Sequence, residues 1–323
     1  MKKYLHIIIW SLVLFFARKG HTQQQAAFSL YNQFEGLYNP SAVPNEYINF
    51  EHNLIFGADA RQQWINLPAA PKTQFLKGEF ITDFDNTFNL LMGGYVVSDK
   101  VGPISTTGVY FRLAGIMSNY DPILGGISAG LQLGAIQYRI NTTALQAKYP
   151  TDILTAQDIQ ATKPQLSLGV SYYNSFKNGI FADTKLNTGI SITHLGFNQA
   201  LFKDDVHQFE IKTNRHYYGY AKLRKSFYGE QALEFNTWIR YVKNMPFNMD
   251  AHLVFDINDN FSLELGTNSA GTAHGGIGLN LFDVFGGSDN LMHIGYSFNP
   301  SFLKAGNAFG NTHEVCVSYS FVR

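Results

Sequence analysis

Apolar and polar residues alternate along several segments in the C-terminal half of the chain. Between 232 and 241 the apolar positions are Leu233, Phe235, Ile239 and Tyr241, and the polar positions are Glu234, Asn236 and Arg240. The segment 312–321 repeats the pattern, with Val315, Val317, Tyr319 and Phe321 set against Glu314, Cys316, Ser318 and Ser320. A period of two places each set on one side of a β-strand. The pattern therefore predicts strands with one apolar face.

Such segments recur about fourteen times, and almost nothing in the chain follows a helical period. They lie at 49–62, 72–84, 87–98, 103–118, 123–139, 165–175, 178–194, 215–227, 230–243, 246–257, 260–268, 272–283, 290–298 and 312–322. Most exceed the roughly 5–6 residues of a mean soluble strand. They reach the roughly 9–11 residues that cross a bilayer at a tilt. The chain is predicted to be all-β.

The connections between these segments fall into two classes. Counted from the N-terminus, the even connections are short, whereas the odd ones include the long stretches 141–164, 195–214 and 299–311. Short turns at one end and long loops at the other are typical of bacterial outer-membrane barrels, in which the short turns are periplasmic. The predicted fold is a transmembrane outer-membrane β-barrel of about 14 antiparallel strands, with both termini in the periplasm.

Composition separates this fold from a secreted β-sandwich or propeller, which alternation alone would also fit. Only 15% of the residues are charged, against roughly 25% in soluble domains, while 45% are hydrophobic and 15% aromatic. The exposed face of a sandwich sheet would carry more charge than these strands do. The formal net charge is zero, which argues against binding to nucleic acid.

The N-terminus indicates export. Lys2 and Lys3 precede an apolar run at 5–16, which is shorter than the about 20 residues of a spanning helix and typical of a signal peptide. We predict a signal peptide at 1–23, removed after export, and one barrel domain at 24–323. Cys316 is the only cysteine, so the exported chain has no internal disulfide.

Short motifs spread over the chain carry a family resemblance. They are YNPSA (38–42), RQQWINLPAAPKT (61–73), SDKVG (98–102), GISITHL (189–195), HYYGY (216–220), RYVKNMPFNMD (240–250), GYSF (295–298) and THEVCVSYSF (312–321). In this order they resemble the PorP/SprF family of outer-membrane proteins of type IX secretion and gliding motility in Bacteroidota. The resemblance implies a non-enzymatic barrel that works with the secretion machinery, or with a secreted or cell-surface protein that it helps to export or anchor.

The motif at 61–73 follows the first predicted strand, so the topology places it outside the cell. Two prolines make its tip rigid and unable to extend a sheet. We expect Trp64 at the interfacial aromatic girdle and Arg61 and Gln63 in hydrogen bonds inside the barrel. Two readings remain open, a loop folded into the barrel mouth and a direct partner contact. The residues of the family motif and possible partner loop are Arg61, Gln63, Trp64, Pro68, Ala70, Pro71, Lys72 and Thr73.

Ionisable residues of both signs fall on the predicted lumen face, which favours internal ion pairs that plug the barrel over a selectivity ring. They are Lys222, Arg224, Glu234, Arg240, Asp250, His252 and Glu264, together with Lys77 and Glu79 on an earlier strand. If the lumen is open instead, these residues would line a channel. A pore or transporter for small solutes is therefore the alternative function.

The sequence carries no motif of known catalytic spacing. The ten histidines form no H-E-x-x-H pattern, and we expect His194, His216 and His313 to satisfy hydrogen bonds in the lumen or at its rim. No G-x-S-x-G is present, which argues against an outer-membrane hydrolase. We predict no catalytic residue, no cofactor and no metal.

Overall fold

The computed structural model describes residues 28–30, 34–82, 84, 87–118, 121–142, 159–196, 199–203, 208–227, 229–269, 271–284, 289–300 and 309–323. Within these ranges, fourteen antiparallel strands close into one barrel, which confirms the predicted fold. The predicted signal peptide at 1–23 lies outside the described residues.

The barrel strands follow one another in sequence order, and the last pairs with the first. They are β1 (Leu54–Gln62), β2 (Lys72–Ile81), β3 (Phe88–Val101), β4 (Ile104–Ser118), β5 (Gly125–Ile140), β6 (Ile159–Phe176), β7 (Thr184–Leu195), β10 (His216–Ser226), β11 (Ala232–Val242), β12 (Asn248–Asp256), β13 (Phe261–Asn268), β14 (Ala273–Phe282), β15 (Asn290–Asn299) and β16 (Thr312–Phe321). In chain order, a separate hairpin of β8 (Gln199–Lys203) and β9 (Gln208–Lys212) follows β7 and precedes β10, although β7 and β10 pair directly in the barrel.

Side chains alternate between the two surfaces of this barrel. Large apolar side chains face outward, where about half of each is exposed, for example Phe56, Leu76, Val109, Phe111, Leu253 and Val315. An apolar outer surface on a closed barrel suits contact with lipid, because closure gives the backbone N–H and C=O groups of every strand edge a hydrogen-bonding partner. The C-terminal ends of β1, β5, β7 and β15 lie together at one end of the barrel, here called the outer end, which we predict to be extracellular.

The described part of the N-terminal segment lies inside the barrel. Residues 28–30 and 34–52, here called the plug, contain two short helices, α1 (Glu35–Tyr38) and α2 (Asn45–Phe50). Neither helix has the length and hydropathy that membrane crossing requires. The plug buries Phe28, Leu30, Phe34, Leu37, Tyr38, Ala42 and Val43 almost completely. The core of this protein is therefore the packing between the plug and the inner wall.

Several predicted boundaries differ from the structure, and two of the differences have a clear cause. The first predicted segment began at 49, but residues 45–50 form α2, and Glu51 ends that helix with a positive φ of 64° before β1 begins. The predicted loop 141–164 is shorter, because β6 pairs with β5 from Ile159 onward and includes Pro164. Reading Pro164 as the end of a loop made that prediction wrong.

Candidate functional site

The inner wall binds the backbone of the plug through side chains. Arg112 of β4 is 1% exposed and donates from Nη1 to the carbonyl oxygens of Ala42 (2.7 Å) and Pro40 (3.4 Å). The hydroxyl of Ser171 donates to the carbonyl of Ser41 at 2.6 Å, and that of Ser191 donates to Tyr38 at 2.7 Å. Buried carbonyl groups need such partners. The plug is thus held as a specific structure and does not merely fill space.

Glycines on the wall make room for the tight turn at Asn39. The side-chain oxygen of Asn39 accepts from the backbone nitrogen (3.0 Å) and the hydroxyl (2.7 Å) of Ser41. A Cβ at Gly169 would overlap the Asn39 side chain, and one at Gly130 would lie 2.5 Å from the Pro40 carbonyl oxygen. The YNPSA motif therefore fits a groove that only residues without a side chain leave open.

A buried ion cluster joins the plug to strands β2 and β4. Glu79 accepts hydrogen bonds from Arg112 and from the Tyr95 hydroxyl, and its second oxygen lies 3.6 Å from Lys77. Lys77 also pairs with Glu46 of α2 at 3.5 Å. Buried charges are tolerated when paired and hydrogen-bonded in this way. Each member of the cluster depends on the others.

A second ion pair fixes α1. Glu35 forms a salt bridge with Lys222 of β10, and Lys222 also donates to Asn45 at 2.8 Å. Burial raises the pKa of the Glu35 carboxyl from 4.5 to about 7, although Lys222 acts in the opposite direction. Near neutral pH a part of the population therefore carries a neutral Glu35.

This raised pKa predicts a pH dependence of stability. The folded barrel keeps a proton on Glu35 that the unfolded chain releases above pH 4.5, so stability is greatest below 4.5 and declines as pH rises toward about 7. The decline amounts to at most about 3 kcal/mol. Thermal unfolding of the purified barrel at pH 5 and pH 7.5 measures it.

Glu35→Gln, which cannot ionise, should reduce the difference between the two pH values. The matched control is Glu230→Gln, because Glu230 is exposed on a turn. Equal pH dependence in the wild type and in Glu35→Gln would contradict the assignment.

Aromatic packing fills the middle of the lumen. Trp238 is fully buried and stacks on Tyr220 at 4.8 Å between ring centroids, while Tyr38 of the plug meets Trp238 edge-on at 5.7 Å. Phe34 contacts Phe75 in the same edge-on manner at 4.8 Å. Such pairs stabilise by about 0.5–1.5 kcal/mol beyond their buried area. The lumen has an apolar core as well as ion pairs.

The structure places all seven predicted lumen residues inside the barrel, but it does not bring them into one site. Lys222 joins the Glu35 pair, while Arg224 contacts Asp256 at 2.5 Å and Glu234 at 4.0 Å. Arg240 pairs with Asp250 at 2.9 Å, and His252 lies 3.3 Å from Glu264. Opposite charges thus neutralise one another along the wall.

The outer end of the plug is tied to the seam between the first and last strands. Both oxygens of Glu314 (β16) accept from the backbone of Ser29, at 3.0 and 2.7 Å. Arg61 (β1) donates to Glu314 at 3.0 Å and to the Ser29 hydroxyl at 2.9 Å. With its amide oriented to satisfy the hydrogen bonds, Gln63 accepts from Arg61 at 3.1 and 3.2 Å. These two motif residues therefore serve the plug.

The remaining residues of the 61–73 motif divide between the interior and the surface. Ala70 and Pro71 are buried, and Thr73 donates to Asp99 at 2.6 Å. Trp64, Pro68 and Lys72 are exposed. The loop is braced by backbone hydrogen bonds from Ile65 to Asn311 and from Asn66 to Phe309, both at 3.1 Å. One motif thus combines an anchor inside the mouth with an exposed tip.

Sequence reasoning missed the plug. It therefore also missed Arg112, which is the partner of Glu79, and the role of Glu314 in binding the plug. One signal could have indicated Arg112. It is the only charged residue in the stretch 101–120. An inward-facing arginine on a membrane strand requires a buried partner. The plug has no alternation of apolar and polar residues, so the strand pattern could not predict it.

Comparisons with known proteins identify the family. A scan against protein-family profiles matches residues 20–319 to "Type IX secretion system membrane protein PorP/SprF". No curated protein matches the chain.

Solved structures share the fold at very low identity. A FadL homologue from Pseudomonas aeruginosa is 7% identical, with a TM-score of 0.52 over 88% of this chain and 92% of that one. The toluene transporter TbuX from Ralstonia pickettii is 10% identical, with a TM-score of 0.52 over 93% and 95%. Both are outer-membrane barrels. The chain is therefore an outer-membrane β-barrel that belongs to the PorP/SprF family of type IX secretion system membrane proteins.

Proposed function

We propose that this barrel is a non-enzymatic platform of type IX secretion that helps to export a secreted or cell-surface protein, such as a gliding adhesin, and anchors it at the outer end. The observation that carries the proposal is the filled lumen. Most described residues of the plug are buried, and the plug is bonded to the wall near both of its ends, at Ser29 and at His52. A plugged barrel offers a partner its loops and rims, not a passage.

The loop 63–71 supplies a suitable contact surface. The side chains of Trp64 and Ile65 are 42% and 45% exposed, and Phe309 of the neighbouring loop is 38% exposed and lies 6.0 Å from Trp64 between ring centroids. Exposed aromatic side chains on a rigid support are the usual anchors of protein interfaces. Pro68 and the hydrogen bonds to 309–311 provide that rigidity.

The test is a strain that lacks the gene, complemented with variants of the barrel. Without the barrel we expect one or more secreted proteins to stay unexported or to appear in the medium. Trp64→Ser with Ile65→Ser should lower surface retention at least tenfold, because the apolar contact is lost while the barrel still assembles. Surface proteomics and immunoblots of the medium measure both results.

The matched control is Val101→Ser, since Val101 is 49% exposed on a different hairpin at the outer end. Retention should then remain near wild type. Unchanged secretion and display in the deletion strain would contradict the function, whereas equal loss in both variants would contradict the assignment to this loop.

A pore for small solutes is the second candidate, and the transporters that share the fold favour it. A cavity of about 130 Å³ remains beside the plug. Its lining mixes charged side chains such as Glu46 and Arg224 with apolar ones such as Leu30 and Leu291, so its size alone restricts it to a small solute. Conductance of the purified barrel in planar bilayers separates the two candidates.

A further inference from the structure

Two imidazoles and one carboxylate converge on the lumen wall where three neighbouring strands meet. His252 lies on β12, Glu264 on β13 and His274 on β14. Each offers one ligand atom, and these atoms all lie within 4.8 Å of one another. The two histidines are only 3% and 8% exposed.

The strand register builds this cluster. His252 and His274 both pair with Gly266 of β13, one from each side. A Cβ at Gly266 would overlap the His274 ring and would lie 2.6 Å from Nδ1 of His252. The missing side chain lets the two rings approach to 4.8 Å between centroids. Glu264 lies two residues before Gly266 and so points to the same face.

Two of the three distances between ligand atoms match those around a coordinated metal ion, and the third, between the two imidazoles, is within 4.8 Å. Oε1 of Glu264 lies 3.3 Å from Nδ1 of His252 and 3.5 Å from Nε2 of His274. Ligand atoms bound tetrahedrally at about 2.0–2.2 Å are separated by about 3.3–3.6 Å. We propose that His252, Glu264 and His274 bind one divalent transition-metal ion, with zinc as the preferred occupant and one coordination position left open.

The surroundings suit such an ion. A cavity of about 30 Å³ beside the histidines is also lined by Phe28, Ser29 and Arg61, and a water molecule needs only about 10–15 Å³. The charge of Arg61 is compensated by Glu314 at 3.0 Å. The open position therefore has room for a water ligand, on the side of the wall that faces the start of the plug.

No sequence motif indicated this site, because its ligands are spread over 23 positions of three strands, from His252 to His274. No helix sets them at a fixed spacing, and only the register brings them together. The expectation of no metal rested on motif spacing. Spacing of that kind does not detect ligands on adjacent strands.

Metal binding by the purified full-length barrel in detergent, with any affinity tag removed and bound metal stripped by a chelator, tests the proposal. Titration calorimetry with Zn²⁺ and elemental analysis should show one ion per barrel. Co²⁺ should give the absorption bands of a four-coordinate nitrogen and oxygen site. His274→Gln and Glu264→Gln should each weaken Zn²⁺ binding at least tenfold.

The matched control is His216→Gln. His194 and His216 also face each other at 4.8 Å between ring centroids, but within the described residues no third ligand completes a set with them. This variant should bind Zn²⁺ like the wild type. Heat-dependent migration in gels verifies that each variant is folded.

Less than one tenth of an equivalent of Zn²⁺ in the wild type would overturn the proposal, and this measurement requires no variant. Equal weakening in His216→Gln and His274→Gln would also overturn it, because the binding would then not reside at the cluster.

Discussion

Replacing Arg112 with alanine is expected to release the plug from the wall. Removal of one partner from a buried ion pair costs about 3–5 kcal/mol, because the other charge stays buried without compensation. Glu79 would lose its guanidinium partner, and the carbonyl groups of Pro40 and Ala42 would lose their donor. No other single side chain described in this structure joins the plug backbone and the ion cluster at once.

The sole cysteine reports on this release. Cys316 is 2% exposed on the lumen face of β16 and packs in the same buried cluster as Phe28 and Leu30. When the plug leaves, a water-soluble maleimide should reach this thiol, and we expect labelling in Arg112→Ala to be at least tenfold faster than in the wild type. Mass spectrometry of the intact barrel measures the rate.

Arg139→Ala is the matched control, since Arg139 is an exposed arginine on the adjacent strand β5. It should leave Cys316 protected. Equal protection in Arg112→Ala and the wild type would show that the plug does not depend on the arginine.

The second large effect is expected from Gly130→Val. The added Cβ would lie 2.5 Å from the carbonyl oxygen of Pro40 and 2.8 Å from the backbone nitrogen of Ser41. Backbone atoms in a tight turn have no room to shift, so the plug has to move. We expect the wild-type barrel to be silent in planar bilayers, whereas Gly130→Val should conduct.

Gly94→Val provides the comparison, because Gly94 of β3 faces outward and the nearest atom to its Cβ lies 4.0 Å away. Valine suits a lipid-facing position, and this variant should remain silent. Steady conductance in the wild type would instead favour the pore for small solutes over the platform.

Strand periodicity was enough to predict the barrel, because lipid and lumen impose opposite preferences on successive residues. The outward positions Leu233 and Phe235 and the inward positions Glu234 and Asn236 illustrate this constraint. The plug was not predictable in the same way. Its residues contact partners on many strands, and no local period records such contacts.

The same limit explains what sequence reasoning found at the candidate site. Trp64 and Pro68 were recognised as motif residues by their residue types. The charged lumen residues were recognised by their alternating positions on predicted strands. Their partners did not stand out. Glu35 lies 187 positions before Lys222, and nothing in either neighbourhood indicates the other.

The bond between Ser29 and Glu314 has a consequence for biogenesis. It spans 285 positions, so the start of the folded domain cannot reach its final place until the last strand has been added. Joining such distant parts is entropically demanding and therefore slow. An unfinished or C-terminally clipped polypeptide lacks Glu314 and would therefore leave Ser29 without this attachment to the wall.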